Sequence, residues 1–125
     1  MIKNILLVSI GGAIGSVMRY LCQKWIYQLY PHPFPWGTFL VNIVGCFLIG
    51  IFFAASEKST FLTADWRLFL TTGLCGGFTT FSAFAFENMN LIRTGDITYF
   101  LLYTISSAVL GILAVFGGVA LIKFL

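Results

Sequence analysis

Residues 71–84 of the chain read TTGLCGGFTTFSAF. Three glycines, four threonines and a serine interrupt an otherwise apolar stretch, the third of four hydrophobic segments. Each glycine costs a water-exposed helix about 1 kcal/mol relative to alanine, so this composition favours a helix that is broken near its middle, around Phe78. Close helix packing through small residues is the alternative explanation. In a broken helix, the freed carbonyls can bind a small cation and the freed N–H groups an anion.

The composition of the whole chain predicts an all-α integral membrane protein. Of its 125 residues, 59% are hydrophobic and 9% are charged, whereas soluble domains carry about 25% charged residues. A spanning helix needs about 20 apolar residues, and four such spans fit at about 4–27, 35–56, 66–91 and 97–123. We therefore expect residues 1–125 to form a single four-helix transmembrane domain with little protein outside the bilayer.

The four segments are separated by residues that do not continue a helix. Three prolines fall between residues 31 and 35, a polar stretch covers residues 57–60, and residues 93–96 predict the last turn. The apolar start of the chain resembles a signal peptide. Because three further hydrophobic segments follow it, we interpret it as the first spanning helix.

The basic residues are divided almost evenly between the two ends of the predicted bundle. Four lie on the side of the termini and three on the opposite side: Lys3, Lys58, Arg67 and Lys123 against Arg19, Lys24 and Arg93. The positive-inside rule therefore gives almost no preferred orientation. One explanation is that some of these residues lie too deep to count. The other is dual topology, in which oppositely oriented copies pair as an antiparallel homodimer about an axis in the membrane plane.

Several polar side chains fall within the predicted spans. Asn42 lies in the second, where an amide is costly without a partner; its alternative role is a simple hydrogen bond between helices. Tyr103 and Ser107 are four residues apart in the fourth span, so their hydroxyls share one helical face. Ser106 lies on a different face and is predicted to bond to its own helix backbone.

The first span combines small residues with one arginine. Gly11 and Gly15 have G-x-x-x-G spacing, which predicts a close-packing face. Arg19 follows one turn later, where it either snorkels to the surface or lines a wet vestibule that attracts anions.

Glu87 is the only carboxylate within a predicted span, near the end of the third. It is either a solvated helix-end residue or a group that couples transport to protons.

Phe81 and Phe84 are three residues apart and share a helical face. The edges of phenyl rings carry partial positive charge and can contact an anion. In a chain with 14 phenylalanines, the residues alone favour packing or lipid contact.

The cysteines and the single histidine argue against a metal site of the usual kind and against an enzyme. Cys22, Cys46 and Cys75 fall in three different spans, and His32 lies in the proline-rich connection. Three small packing residues are the favoured interpretation of the cysteines. The chain offers no pair of nucleophile and base that would indicate catalysis.

Three motifs, taken together, resemble the Fluc (CrcB-type) family of microbial fluoride channels along essentially the whole chain. They are Gly11-Gly12-x-x-Gly15-x-x-x-Arg19-Tyr20, Gly37-Thr38-x-x-Val41-Asn42-x-x-Gly45 and Gly73-x-x-Gly76-Gly77-x-Thr79-Thr80-Phe81-Ser82-x-Phe84-x-x-Glu87. The chain differs from the usual pattern of that family at Ala83 and Cys46.

The resemblance implies a multi-pass protein of the inner (plasma) membrane that exports fluoride passively and so confers fluoride resistance. It implies an antiparallel, dual-topology homodimer with two pores and a central structural Na⁺, held by the backbone carbonyls of Gly76 and Thr79. By motif position, the pore residues are Thr38, Asn42, Phe81, Ser82, Phe84, Tyr103 and Ser107, and Arg19 belongs to the vestibule.

Three other functions stay open at this stage. A fluoride/proton antiporter depends on Glu87. A small dual-topology drug exporter requires a carboxylate that is usually in the first span, and this first span has none. A membrane scaffold that transports nothing fits the charge pattern equally well.

Overall fold

The computed structural model describes residues 1–58 and 62–125, and every regular element in these ranges is helical. The elements are α1 (Ile2–Leu29), α2 (Trp36–Lys58), α3 (Ala64–Arg67), a π-helical segment (Leu68–Cys75), α4 (Gly76–Phe78), α5 (Phe81–Arg93) and α6 (Ile97–Lys123). From α3 to α5, residues 64–93 form one interrupted span. Residues 59 and 60 of the predicted polar connection lie outside the described residues.

Four helical segments are long and apolar enough to cross a membrane. The first and third extend two residues beyond each end of their predicted spans, the second begins one residue later and ends two residues later than predicted, and the fourth coincides with its prediction. Their outer faces are covered by exposed isoleucine, leucine, valine and phenylalanine side chains. Such a continuous apolar surface is unfavourable in contact with water and favourable in contact with lipid. The chain is therefore an all-α, multi-pass membrane protein, as its composition predicts.

Local sequence explains where the helices end. Proline stands at position 35, immediately before α2, and its carbonyl accepts the first helical hydrogen bond from Phe39 at 3.0 Å. Between α5 and α6, Gly95 adopts a φ of 82°, a conformation that favours glycine. There the N–H of Asp96 reaches back to the carbonyl of Leu91 at 2.8 Å, which closes the end of α5.

Two contacts tie together the end of the molecule that holds the termini. Lys3 forms an ion pair with Asp65 at 3.0 Å. Lys58, at the end of α2, donates to the carbonyl of Ile122 at the end of α6, also at 3.0 Å. Lysine near a helix C-terminus satisfies a carbonyl that the helix itself leaves free. Two of the four basic residues predicted for this side, Lys3 and Lys58, are thus held by contacts at this end.

Close contact between α1 and the third span depends on glycine, as the G-x-x-x-G spacing predicts. A Cβ added at Gly11 would lie 2.7 Å from the carbonyl oxygen of Phe69, and one at Gly15 would collide with the carbonyl of Leu74. From the opposite side, a Cβ on Gly77 would lie 2.5 Å from the carbonyl oxygen of Gly12. Glycines of the third span therefore serve helix packing, and the interruption of that span lies just beyond them.

Candidate functional site

The third span is broken at two consecutive threonines. Thr79 (φ −92°, ψ 159°) and Thr80 (φ −151°, ψ 119°) are extended, so α4 ends at Phe78 and α5 begins at Phe81. The hydroxyl oxygen of Thr80 accepts from the N–H of Ala83 at 3.1 Å and so caps α5. The predicted interruption is confirmed, but threonines form it and not the glycines.

Asn42 holds the broken backbone in place. Its Oδ1 accepts from the N–H of Thr80 at 2.8 Å, and its Nδ2 donates to the carbonyl of the same residue at 3.1 Å. A carboxamide nitrogen carries two protons, so one N–H of Asn42 is not used in this pair of bonds. The amide is therefore both a clamp on the extended backbone and a donor available to a ligand.

Arg19 lies against the same interruption. Its Nε donates to the carbonyl of Gly77 at 3.0 Å, across from α1 to α4. In an unbroken helix that carbonyl would accept from the residue four positions later, Phe81. The guanidinium has further N–H groups, which leaves donors for a second contact. Arg19 was predicted for a vestibule; the structure places it beside the helix break.

Two other carbonyls at the break have lost their helical donors. The N–H of Thr80, which would have bonded to the carbonyl of Gly76, is taken by Asn42. The N–H of Ala83, which would have bonded to the carbonyl of Thr79, is taken by the hydroxyl of Thr80. Carbonyl oxygens are ligands that hard cations prefer. The chemistry of this donor set fits the sodium ligands that the family resemblance implies, Gly76 and Thr79.

A cavity of about 460 Å³ opens beside the break, between α2, the third span and α6. It brings together most of the predicted site: Asn42, Gly76, Thr79, Phe81, Phe84 and Ser107 line it. Among the described residues, none that lines it carries a charge.

Ser107 and Thr104 present buried hydroxyl oxygens that have no hydrogen-bond partner among residues 1–58 and 62–125. Both residues line the cavity. A buried hydroxyl without a partner is costly, so these two groups have hydrogen-bonding capacity that the described part of the chain does not use. The neighbouring Ser106 bonds to the carbonyl of Leu102 in its own helix, as predicted. Thr104 was not singled out in the sequence. Its position three residues before Ser107, on the same face of the helix, could have indicated that it belongs to the same site.

The two predicted phenylalanines stand at the cavity wall. The ring centroids of Phe81 and Phe84 are 5.7 Å apart and their planes are inclined by 42°. Phe84 also packs on Tyr103, with centroids 4.9 Å apart. Phe81 is 78% exposed in the single chain. Ser82 is exposed, pairs with the hydroxyl of Thr80 at 3.2 Å and does not line this cavity.

A second polar group joins all four spans. Glu87 of α5 accepts from the hydroxyl of Thr38 at 2.7 Å and from the hydroxyl of Tyr103 at 2.9 Å. Gln23 of α1 donates to the hydroxyl oxygen of Thr38 at 2.9 Å. Thr38 is 2% exposed and Tyr103 is fully buried. Glu87 is thus half-buried towards the end of the third span and hydrogen-bonded to two other spans.

This second group faces another cavity, also about 460 Å³, at the end of the molecule that holds the proline-rich connection. Gln23, Thr38 and Glu87 line it, together with Lys24 and His32. Gln23 is not among the residues that were singled out in the sequence. Its position four residues after Arg19, on the same face of α1, was the signal that pointed to it.

Contacts between side chains link the walls of the two cavities. Phe84 lines the first cavity and packs against Tyr103. The hydroxyl of Tyr103 bonds to Glu87, which lines the second cavity. A line of polar and aromatic groups therefore runs from the middle of the molecule to one of its ends.

Comparison with known proteins identifies the family. The model of the CrcB-like protein family (Camphor Resistance, CrcB) matches residues 6–119. The chain is 50% identical over 117 residues to a protein of Phocaeicola vulgatus named fluoride-specific ion channel FluC, covering 94% of this chain and 96% of that protein. A Leptospira interrogans protein of the same name is 43% identical over 121 residues, covering 97% and 95% respectively. The chain therefore belongs to the CrcB-like family.

Proposed function

We propose that the chain is a fluoride-selective ion channel of the plasma membrane, through which fluoride leaves the cell passively. The relatives named as fluoride-specific channels match nearly its whole length. The observation that supports the proposal most directly is the cavity beside the break. It offers hydrogen-bond donors from Ser107, Thr104 and Asn42, and no charged side chain among its described lining residues.

That combination suits a small, strongly hydrated anion. A pore has to replace the water around fluoride with donors, and it must not hold the ion so tightly that the ion cannot leave. Hydroxyl and amide donors replace the water. Because no charged side chain is found among the described residues that line the cavity, no side chain becomes a trap for the ion. The edges of Phe81 and Phe84, which are partly positive, provide a further weak contact.

Within this proposal, each group along the line has a defined role. Asn42 keeps Thr80 extended and offers its second N–H to the ion. Ser107 and Thr104 offer hydroxyl donors. Thr38 and Tyr103 continue the line towards the second cavity, where Lys24 at the rim attracts anions.

We also propose that the working unit is an antiparallel homodimer with two pores. The even division of basic residues allows both orientations. In the single chain the cavity is open at its side and Phe81 is 78% exposed, so a second copy is needed to enclose a pore. Such a pair places residues of the break near its two-fold axis.

A sodium ion at that axis is part of the proposal. The carbonyls of Gly76 and Thr79, which have lost their helical donors, would hold it. When bound, the ion supplies positive charge that joins the two chains. The protein itself contributes the rigid, extended backbone that keeps these oxygens free.

A fluoride/proton antiporter is the second candidate, and Glu87 is the observation that favours it. The carboxylate is half-buried and receives two hydroxyl hydrogen bonds. Exchange of one fluoride leaving for one proton entering moves two charges in each cycle and carries protons, whereas a channel moves fluoride alone. The two candidates are therefore separated by whether protons enter as fluoride leaves.

The proposal is tested with purified protein in liposomes loaded with potassium fluoride. We expect fluoride release only when valinomycin lets K⁺ leave as well, and we expect chloride to be retained under the same conditions. Fluoride release that is accompanied by entry of protons, recorded with a pH-sensitive dye inside the liposomes, would establish the antiporter instead.

A further inference from the structure

Gln23 of α1 is held against the first turn of α2. A Cβ added at Gly37 would lie 3.2 Å from the Cα of Gln23, so the two helices approach closely at this point because Gly37 has no side chain. The next residue, Thr38, is 2% exposed, and its hydroxyl oxygen accepts from Nε2 of Gln23 at 2.9 Å. The side-chain amide of Gln23 is therefore fixed at the wall of the second cavity, which it lines.

The two hydroxyls beside this amide have no proton left for a ligand. A hydroxyl group carries one proton. Thr38 donates its proton to Oε2 of Glu87 at 2.7 Å, and Tyr103 donates its proton to Oε1 of the same carboxylate at 2.9 Å. While these bonds are made, neither hydroxyl is able to donate to an anion in the second cavity.

The amide of Gln23 keeps one proton. A carboxamide nitrogen carries two. One is donated to Thr38, and among residues 1–58 and 62–125 no second acceptor is found for Nε2. Of the four side chains in this hydrogen-bonded group, Gln23 alone therefore has a proton that the other three do not use.

The arrangement matches the one at Asn42 beside the first cavity. There too, the amide donates one N–H to the protein, to the carbonyl of Thr80, and retains the other. A neutral donor replaces water around a small anion and, having no formal charge, does not hold the ion too tightly to release it. We propose that Gln23 is an ion-contacting residue, whose second N–H donates to fluoride in the second cavity. The identity of the ion rests on the proposed function, whereas the unused donor does not.

Lys24 has a different role at the same cavity. It follows Gln23 directly and lines the cavity, but it is exposed to solvent, where water and salt screen its charge. Lys24 therefore attracts anions from a distance, whereas the partly buried amide of Gln23 is the group that an ion contacts.

The chain contains two glutamines, Gln23 and Gln28, and this makes the amide directly observable. Gln28 is exposed and does not line the second cavity. The test uses full-length protein in detergent with ¹⁵N in the glutamine side chains, and the Gln28→Leu variant assigns the two NMR signals. Sodium fluoride is expected to move a proton signal of Gln23 downfield until it saturates and to leave Gln28 unchanged. The same concentrations of sodium chloride are expected to leave both unchanged.

A Gln23 signal that does not respond to fluoride, or that responds equally to chloride, would overturn the proposal. No transport is measured in this titration, so its result does not depend on whether fluoride crosses the membrane. A parent protein that releases no fluoride from liposomes would refute the proposed function, while the titration still decides the role of Gln23.

A pair of matched variants tests the same role in transport. Gln23→Leu removes both amide protons with little change in side-chain volume, and Gln28→Leu makes the same change outside the cavity. Below saturating fluoride, Gln23→Leu is expected to slow efflux from liposomes about tenfold relative to Gln28→Leu, because a donor to a charged ion is lost. Where Gln23→Leu does not elute from gel filtration as the parent does, Gln23→Met takes its place. Equal efflux in the two variants at every fluoride concentration would overturn the proposal.

Discussion

Replacement of Asn42 by alanine tests how the chain maintains an extended backbone inside a membrane. The change removes both hydrogen bonds to Thr80, at 2.8 and 3.1 Å, and leaves the N–H and carbonyl of that residue without partners. A hydrogen bond contributes about 0.5–1.5 kcal/mol net in water and about 0.6 kcal/mol on average within a membrane. The two hydrogen bonds together therefore stabilise the extended conformation of Thr80 by roughly 1–3 kcal/mol.

Loss of the clamp is expected to appear in conduction. Without it, Thr80 is free to leave the extended conformation, and the cavity also loses the second N–H of the amide. Since about 1.4 kcal/mol corresponds to a tenfold change in rate, we expect Asn42→Ala to slow fluoride efflux on the order of tenfold or more. The measurement is fluoride release from liposomes, recorded with a fluoride electrode at equal protein density.

A matched variant on the same helix separates this effect from general damage. Val44 is 45% exposed on the outer face of α2, so Val44→Ala is expected to conduct at the parental rate. Both variants are expected to elute from gel filtration as the parent does. An Asn42→Ala protein that elutes normally and conducts as fast as the Val44→Ala control would refute the reasoning.

Three further predictions rest on neighbouring contacts. Phe81→Ile is expected to slow fluoride efflux because the ring edge at the cavity is lost. Phe86 is exposed and does not line the cavity, so Phe86→Ile is expected to leave efflux unchanged, and equal rates in the two variants would remove Phe81 from the pathway. Ser107→Ala is expected to reduce fluoride efflux and Ser106→Ala to leave it unchanged, because the hydroxyl of Ser107 lacks a partner whereas that of Ser106 bonds to its own helix. Slower efflux in Ser106→Ala than in Ser107→Ala would contradict a role of Ser107 in the pore. Glu87→Gln places an amide NH₂ against a hydroxyl that must then reorient. Thermal unfolding in detergent is therefore expected to show that the free energy of unfolding falls by about 1–3 kcal/mol, and an unchanged free energy would show that the carboxylate is not an essential acceptor.

Much of the molecule could be predicted from sequence because its dominant signals are local. Apolar run length located the four spans, and three prolines marked the first connection. The G-x-x-x-G spacing located the face of α1 that packs on the third span. Asn42 was singled out because an amide in hydrocarbon needs a partner, and the structure identifies that partner as the backbone of Thr80.

What could not be predicted depends on how the helices are rotated against each other. These helices are apolar on nearly every face, so hydrophobic periodicity does not show which side faces a neighbour. Gln23 was missed for this reason, as was the bonding of Glu87 to Thr38 and Tyr103 from two other spans.

The glycines of residues 71–84 differ in their role from what the sequence predicts. Their cost to an isolated helix predicted the break, and a break exists, but Gly73 and Gly77 lie against α1 and serve close packing. The extended residues are Thr79 and Thr80. Close helix packing therefore explains Gly73 and Gly77, and a broken helix explains Thr79 and Thr80.

The central claim is that fluoride crosses as a charged ion through a passive pore. It is tested most directly by recording current from the purified protein in a planar bilayer with a tenfold fluoride gradient and symmetric chloride. A fluoride channel predicts a current that reverses about 59 mV from zero, the value for one monovalent charge and a tenfold ratio. Fluoride flux in liposomes together with no current in the bilayer would contradict the account.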